Sequence, residues 1–304
     1  MAAQNALAII GVRTVGDRVR GYIALTKPRI IELLLVTTLP TMVVARRGIP
    51  SGWLILATLA GGALSAGGAN ATNMYIDRDI DAIMRRTSKR PLVTGAVSPM
   101  GALVFAIVLQ VVAFALLWGA VNLISAVLAE SAALFYIFVY SVGLKRRSAQ
   151  NIVIGGAAGA VPVLVGWTAV TGRLAWAPVL LFVLIVVWTP SHFWALAVKY
   201  REDYAAAHVP MLPAVASVER VTREIILYSV ALLGVTSGFA VVAHMGLVFW
   251  IGSTVAGLVY VAYAVRLRSS GGDVKAAMAL FKYSITYLTL IFGAMAVDVL
   301  VRAH

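Results

Sequence analysis

Nine stretches of this chain are apolar for close to the thickness of a bilayer's hydrocarbon core, and that repetition leaves few folds open. A helix rises about 1.5 Å per residue, so roughly 20 apolar residues cross about 30 Å of hydrocarbon with their backbone hydrogen bonds closed inside the segment. The runs are Ile30–Ala45, Trp53–Ile76, Pro99–Ala120, Leu123–Gly143, Ile152–Thr171, Trp176–Val198, Ile225–Ala243, Leu247–Val265 and Met278–Val301. With 61% hydrophobic and 12% charged residues, the chain does not read as a soluble globule. The expectation is an all-α, polytopic membrane protein with nine transmembrane helices. Short connections favour one bundle, a single domain over residues 1–304 with residues 1–28 as a cytoplasmic N-terminal segment.

A formal charge of +13 would fit a nucleic-acid binder, but its placement argues against one. Of 25 Lys and Arg, 20 lie before the first run or after runs two, four, six and eight, and Lys282 sits at the same side of run nine. The opposite side holds Arg46, Arg47, Arg173 and Arg302. Lys and Arg gather on the cytoplasmic side of membrane proteins, which puts the N-terminus and the basic loops in the cytoplasm and the C-terminus outside. Most of these cations read as topology signals and headgroup anchors. The chain has no cysteine, excluding disulfides, thiolate metal sites and a Cys nucleophile. Residues 1–28 carry Arg13, Arg18 and Arg20 without a signal-peptide core, so a short interfacial helix is preferred to a cleaved leader.

At the cytoplasmic end of the second run, Asn73, Asp77 and Asp81 recur every four residues. On a helix they share one stripe, and ionised carboxylates beside hydrocarbon normally face a polar cavity. Acids spaced this way suit magnesium, a hard cation that binds carboxylates while keeping water and phosphate oxygens as other ligands. If the helix continues, Arg85 and Lys89 extend the ladder, with Arg86 and Arg90 beside it, offering cations to a polyphosphate. The plainer reading is a helix end followed by solvated basic residues. Asp79 lies off the stripe and reads as surface.

A second polar segment runs from Thr189 to Pro213, and a continuous helix would align His192, Lys199 and Asp203. Asp203 would complete a metal site with the first cluster, and Lys199 would contact phosphate. His192, within an apolar run, reads equally as a packing residue, and His208 as a solvated side chain. Lys27 and Arg29 either reach the same cavity or snorkel to headgroups. Asn151 either caps the fifth helix or lines the cavity. Glu130 and Asp298 face the other side, with structural roles. The small residues of Leu59–Thr72 and the run Gly155-Gly156-Ala157-Ala158-Gly159 permit close helix approach or leave room beside a bulky ligand. The two largest cytoplasmic connections, Asp77 to Ser98 and Lys199 to Thr222, hint at two halves that each lay a loop over one cavity.

Several segments together resemble a known family. They are Leu25-Thr26-Lys27-Pro28-Arg29, the stripe Asn73, Asp77, Asp81, then Arg86-Thr87 with Arg90-Pro91-Leu92, and Tyr140 with Leu144-Lys145-Arg146. Asn151 to Gly156, His192 to Ala197, and Asp203-Tyr204 with Pro210-Met211-Leu212-Pro213 complete the set. The pattern is similar to the intramembrane aromatic prenyltransferases and, among them, to the protoheme IX farnesyltransferases. The stripe alone marks only the superfamily; the stretch from His192 to Pro213 is the specific part. Lys199 with Asp203, where quinone-directed relatives commonly carry two Asp, favours the heme branch. His208 departs from the pattern, which has a small residue there, usually Gly.

The resemblance implies nine helices around a central cavity in a cell (inner or plasma) membrane. It implies magnesium held by Asn73, Asp77, Asp81 and Asp203, with Asp77, Asp81, Asp203 and Lys199 catalytic. Substrates would be contacted by Asn73, Arg85, Lys89, Arg90, Lys145, Arg146, Asn151, His192, Lys27 and Arg29. The expected reaction joins heme B, farnesyl diphosphate and water to give heme O and diphosphate, with His192 meeting the heme iron and basic residues meeting its propionates. The partners implied are the two substrates, the lipid bilayer and a downstream heme A synthase, and no nucleic acid. Two other functions stay open at this point: prenylation of a quinone precursor or chlorin, and, in a different class, a cation-coupled transporter. Against the transporter, the acids gather on one side and no chain of ionisable residues crosses the bilayer.

Overall fold

The computed structural model describes residues 15–302, without the side chains of Arg29, Ile30 and residues 33–35. The part of the expected N-terminal segment before residue 15 lies outside the described residues. A short helix α1 (Val15–Leu25) leads into α2 (Pro28–Arg46) and α3 (Gly52–Ile76), which is followed at once by the six-residue α4 (Arg78–Ile83). Then come α5 (Pro99–Ala120) and α6 (Leu123–Leu134), the latter continued as a π-helix over Phe135–Leu144. Helices α7 (Asn151–Thr171) and α8 (Trp176–Lys199) precede two short pieces, α9 (Arg201–Ala206) and α10 (Leu212–Val215). The chain ends with α11 (Val218–Val242), α12 (Leu247–Ser269) and α13 (Val274–Arg302).

Among the described residues, eight segments are long and apolar enough to cross a membrane, counting Leu123–Leu144 as one. The expected first span is helical as α2, 19 residues long, but is not among the eight. The protein is therefore an all-α, polytopic membrane protein. Successive long helices pack side by side from α5 through α13, and α3 packs on α5. Helix α13 returns to α2 and α8, while α2 also lies against α7, so the bundle closes on itself.

Helix ends follow short-range chemistry. Ser51, Ser98, Asn122 and Ser217 each accept a backbone N–H of the first turn, and Pro99 occupies the first position of α5, where a missing N–H costs nothing. Ser217 moves the start of α11 back to Val218, well before the expected Ile225, and α12 and α13 likewise extend beyond their apolar runs. Hydropathy marks the part of a helix in hydrocarbon, whereas caps mark where the helix ends.

The small residues of α3 serve packing. A Cβ on Gly61 would lie 2.5 Å from Leu117, and one on Gly68 would lie 2.9 Å from the Ala106 carbonyl, so α3 and α5 meet at van der Waals contact. Gly155 does something different: its missing Cβ leaves room for the Tyr140 ring, whose Cδ2 would stand 2.3 Å away. On the opposite side of the bundle, buried Asp298 accepts from Gly246 N (2.6 Å) and Phe249 N (3.2 Å) and pairs with Arg302 at 3.6 Å. It thereby closes the start of α12, the structural role expected of it.

Candidate active site

The acid stripe survives a break in its helix. Helix α3 stops at Ile76, yet Asp77 N still bonds Asn73 O at 3.0 Å and Asp81 N bonds Asp77 O at 2.8 Å. The four-residue spacing thus keeps Asn73, Asp77 and Asp81 together across the joint, and all three are buried. Asn73 is the hub: its Nδ2 donates to Asp77 Oδ2 at 2.7 Å and to Ser141 Oγ at 3.0 Å, while its Oδ1 accepts from Lys27 Nζ at 3.0 Å. Lys145 Nζ forms an ion pair with Asp77, and Arg90 Nη1 meets Asp81 Oδ2 at 2.5 Å. Arg146 grips Asp79 with both fork nitrogens (2.6 and 2.7 Å) and stands 4.0 Å from Asp77.

The electrostatics match this crowding. Burial pushes the Lys145 ammonium below the usual lysine range, against the opposing pull of Asp77. Burial, reinforced by the charges of Arg90 and Lys145, pushes Lys27 well below its ordinary value. The Arg146 fork beside Asp79 holds that carboxyl down to about 2. Lys27 also carries a positive φ of 52° immediately before Pro28, a conformation that non-glycine residues avoid. Its long side chain is held toward Asn73 in spite of that cost.

Two expectations about the loops are corrected. Helix α4 ends at Ile83, so Arg85 and Lys89 do not continue the ladder; both are exposed. Arg90 reaches Asp81 instead, because the turns from Met84 to Thr94 fold the chain back over the stripe. In the second segment α8 breaks at Tyr200, so His192, Lys199 and Asp203 do not share one continuous helix face. Lys199 is exposed, with its Nζ 5.5 Å from the Tyr200 ring centre. Asp203 accepts the Arg86 backbone N–H at 3.2 Å, a contact that docks the second loop on the first. His192 packs inside the bundle against Trp188 and Phe281, with Nδ1 2.5 Å from Ser284 Oγ. The Arg29 side chain lies outside the described atoms. His208 has φ of 53°, the left-handed region where glycine is at ease, which accounts for the small residue the family pattern has there.

Asn151 does not cap its helix; its Nδ2 donates to Lys145 O at 3.3 Å, holding the lysine's backbone beside the stripe. Sequence reasoning missed Ser141 and Tyr136 as site residues. The π-helix presents Ser141 to Asn73 and stacks Tyr136 on Tyr140 with centroids 5.3 Å apart. Such π segments concentrate at functional sites, and periodicity in a wholly apolar run gives no sign of them.

Among the described residues no three acid or histidine groups converge as a ready-made metal cage. The donor set nonetheless fits a hard cation: carboxylate and amide oxygens, with Asp77 Oδ1 buried and lacking a hydrogen-bond partner. Unpartnered buried carboxylate oxygens are costly unless a ligand uses them. Carboxylates ringed by Lys27, Arg90, Lys145 and Arg146 can take a cation and a polyphosphate together. An open recess of about 390 Å³ beside them is lined by Ile76, Arg78, Asp79, Ser141, Val142 and Arg146, reaching the stripe's outer side.

Comparison with known proteins agrees in fold and sequence. A structure of a digeranylgeranylglyceryl phosphate synthase superposes with a TM-score of 0.76 at 15% identity, covering 93% of this chain and 99% of that one. A UbiA homolog from Archaeoglobus fulgidus, bound to DMAPP and Mg2+, superposes with a TM-score of 0.64 at 18% identity over 91% of this chain and 99% of its own. At such identities these likenesses establish the fold. Sequence relatives are nearer: the protoheme IX farnesyltransferase of Frankia alni is 53% identical over 93% of this chain and 99% of its own length. That of Streptomyces avermitilis is 50% identical over 96% and 97%. Residues 34–286 match the UbiA prenyltransferase family, a span that includes the acid stripe, both polar loops and the π-helix. The chain belongs to the UbiA prenyltransferase family.

Proposed function

We propose that this prenyltransferase moves the farnesyl group of farnesyl diphosphate onto a vinyl group of heme B, giving heme O. The reaction class rests on one observation above all: a buried carboxylate pair, Asp77 and Asp81, paired with Lys145, Arg146 and Arg90 at the mouth of an apolar bundle. The acceptor rests on relatives at 50–54% identity that all carry the name protoheme IX farnesyltransferase.

Magnesium, held by Asn73, Asp77, Asp81 and Asp203, would offset charge on the diphosphate as the C–O bond breaks. Lys27, Lys145, Arg146 and Arg90 supply N–H donors to the diphosphate oxygens, and the exposed Arg85, Lys89 and Lys199 extend that field toward the cytoplasm. The departing diphosphate takes the bonding electron pair. The stacked Tyr136 and Tyr140 present π faces to the allylic cation left behind. Apolar walls delay its capture by water until the vinyl electrons form the new C–C bond. Water then adds to the porphyrin-bound carbon and loses a proton, giving the hydroxyethyl group. Asn151 keeps Lys145 in place, and His192 lies deeper, where the acceptor ring would rest.

Several features support a single catalytic unit of nine crossings with its loops in the cytoplasm. Helix α2 has 19 residues, about 28 Å of rise, and packs within the bundle on α7 and α13. The Lys and Arg asymmetry supports an N-terminus and both loops inside and a C-terminus outside. Val15, Val19 and Ile23 form an exposed apolar row on α1 beside exposed Arg18 and Arg20, which suits a helix lying at the cytoplasmic interface. A farnesylated heme is too apolar to travel through water, which supports hand-over within the bilayer to a heme A synthase.

The test is a mass-spectrometric product assay with purified protein, heme B, farnesyl diphosphate and magnesium, with and without chelator. A hydroxyethylfarnesyl heme that vanishes with chelator is the expected result. A prenylated quinone precursor with no heme product would move the enzyme to another branch of the family.

A further inference from the structure

Asp79 stands off the acid stripe, more than half exposed on α4, yet it takes both arms of a guanidinium. Arg146 Nη1 donates to Asp79 Oδ2 at 2.7 Å, and Nη2 donates to Oδ1 at 2.6 Å. Nη2 also donates to the Ile76 carbonyl at 3.1 Å. An Nη nitrogen carries two protons, so Asp79 and Ile76 between them use both that Nη2 has. Its third neighbour is Asp77 Oδ1, 4.0 Å away and beyond hydrogen-bond reach.

Electrostatics alone would not choose this arrangement. Asp77 is fully buried, and its Oδ2 accepts from Asn73 Nδ2 and pairs with Lys145 Nζ. Its Oδ1 is enclosed with no hydrogen-bond partner, although a guanidinium stands beside it. Charge-assisted N–H···O bonds close to about 2.8 Å, so a shift of about 1 Å by Arg146 would fill Oδ1 and offset its desolvation. A carboxylate with both oxygens taken by protein cations is a poor metal ligand, because the ion must first displace one of them. Exposed ion pairs ordinarily add little to stability, so stabilisation is a weak account of the Asp79 pair.

We infer that Asp79 is a positioning residue that holds Arg146 off Asp77 and so keeps Asp77 Oδ1 open for the divalent cation. The inference rests on the acid stripe holding that cation in the proposed reaction. Arg146 retains its Nε–H and one Nη1–H without a partner among the described residues. It can therefore donate to a diphosphate oxygen while the metal takes the carboxylate.

Manganese(II) titrated into the full-length protein in nanodiscs, without prenyl diphosphate or heme, tests this by electron paramagnetic resonance of the free ion. Wild type, Asp79→Asn, Arg146→Gln and the double variant form a thermodynamic cycle. The side chains of Asp79 and Arg146 are 59% and 37% exposed, so neither substitution opens the core. Asp79→Asn keeps the shape but removes the charge and one acceptor, and it should weaken manganese binding by about tenfold. With Arg146→Gln already present, the same substitution should change affinity by no more than about twofold, because no guanidinium remains to close on Oδ1. Unchanged affinity in Asp79→Asn overturns the inference. Equal weakening in both backgrounds also overturns it, since Asp79 would then act on the metal through its own charge. A wild type that binds no manganese overturns the metal-site reading and this inference with it.

Discussion

The two cytoplasmic loops begin alike and end differently. Each follows a long helix that breaks for one residue, Asp77 or Tyr200, and resumes as a six-residue helix, Arg78–Ile83 or Arg201–Ala206. In the first loop Asp77 and Asp81 are buried and carry ion pairs to Lys145 and Arg90. In the second, Asp203 is half-buried and, among the described residues, its side chain accepts from the Arg86 backbone N–H alone, while Lys199 is exposed. The first loop is a preorganised charge site, fixed by its own Arg90 and by Lys27 and the segment Ser141 to Arg146 from elsewhere in the chain. The second is a cover docked on it through the hydrogen bond from Arg86 N to Asp203 and the Arg86 guanidinium over the Tyr200 ring. On the proposed mechanism the buried, multiply held groups bind the leaving diphosphate, and the lightly held second loop completes the site.

That contrast can be broken by substitution. Asp77→Asn removes the charge facing Lys145 at nearly constant shape, and turnover in the product assay should fall about 10³-fold. Asp81→Asn should cost about 10²-fold in the same assay, since Arg90 keeps a neutral oxygen to bind. For Asp203→Asn, turnover should fall about tenfold with farnesyl diphosphate binding little changed; an effect as large as that of Asp77→Asn would erase the difference between the loops. Gly155→Ala would press a methyl into the Tyr140 ring, costing about 1–3 kcal/mol in thermal unfolding and slowing turnover. The smallest effect belongs to His208→Gly. Relief of the positive φ should stabilise the second loop by about 0.5 kcal/mol, read as slower proteolysis near residue 208, with activity unchanged.

Much of this was legible in the chain. The limits of Pro99–Ala120 follow from its Pro and its apolar run, and the four-residue spacing of Asn73, Asp77 and Asp81 put them on one side even though their helix breaks. The breaks themselves were hidden. Arg85, Arg86, Lys89 and Arg90 are good helix formers, and the turns that carry Arg90 back to Asp81 follow the helix end at Ile83. Tyr136, Ser141 and Ser284 were invisible because their roles depend on partners far along the chain: Asn73 lies 68 residues from Ser141, and His192 lies 92 from Ser284. A serine in an apolar run gives no local sign of whether it bonds its own helix or a neighbour's histidine. The order of the basic residues was also unreadable. Arg85 and Arg90 look equivalent in sequence, yet one is exposed and the other closes on a buried acid.

The most direct measurement is magnesium-dependent binding of farnesyl diphosphate to the purified wild type, Asp77→Asn and Asp203→Asn, without heme present. The account predicts that Asp77→Asn loses binding by about 100-fold or more while Asp203→Asn stays close to the wild type. Equal losses in the two variants, or tight binding by Asp77→Asn, would contradict it.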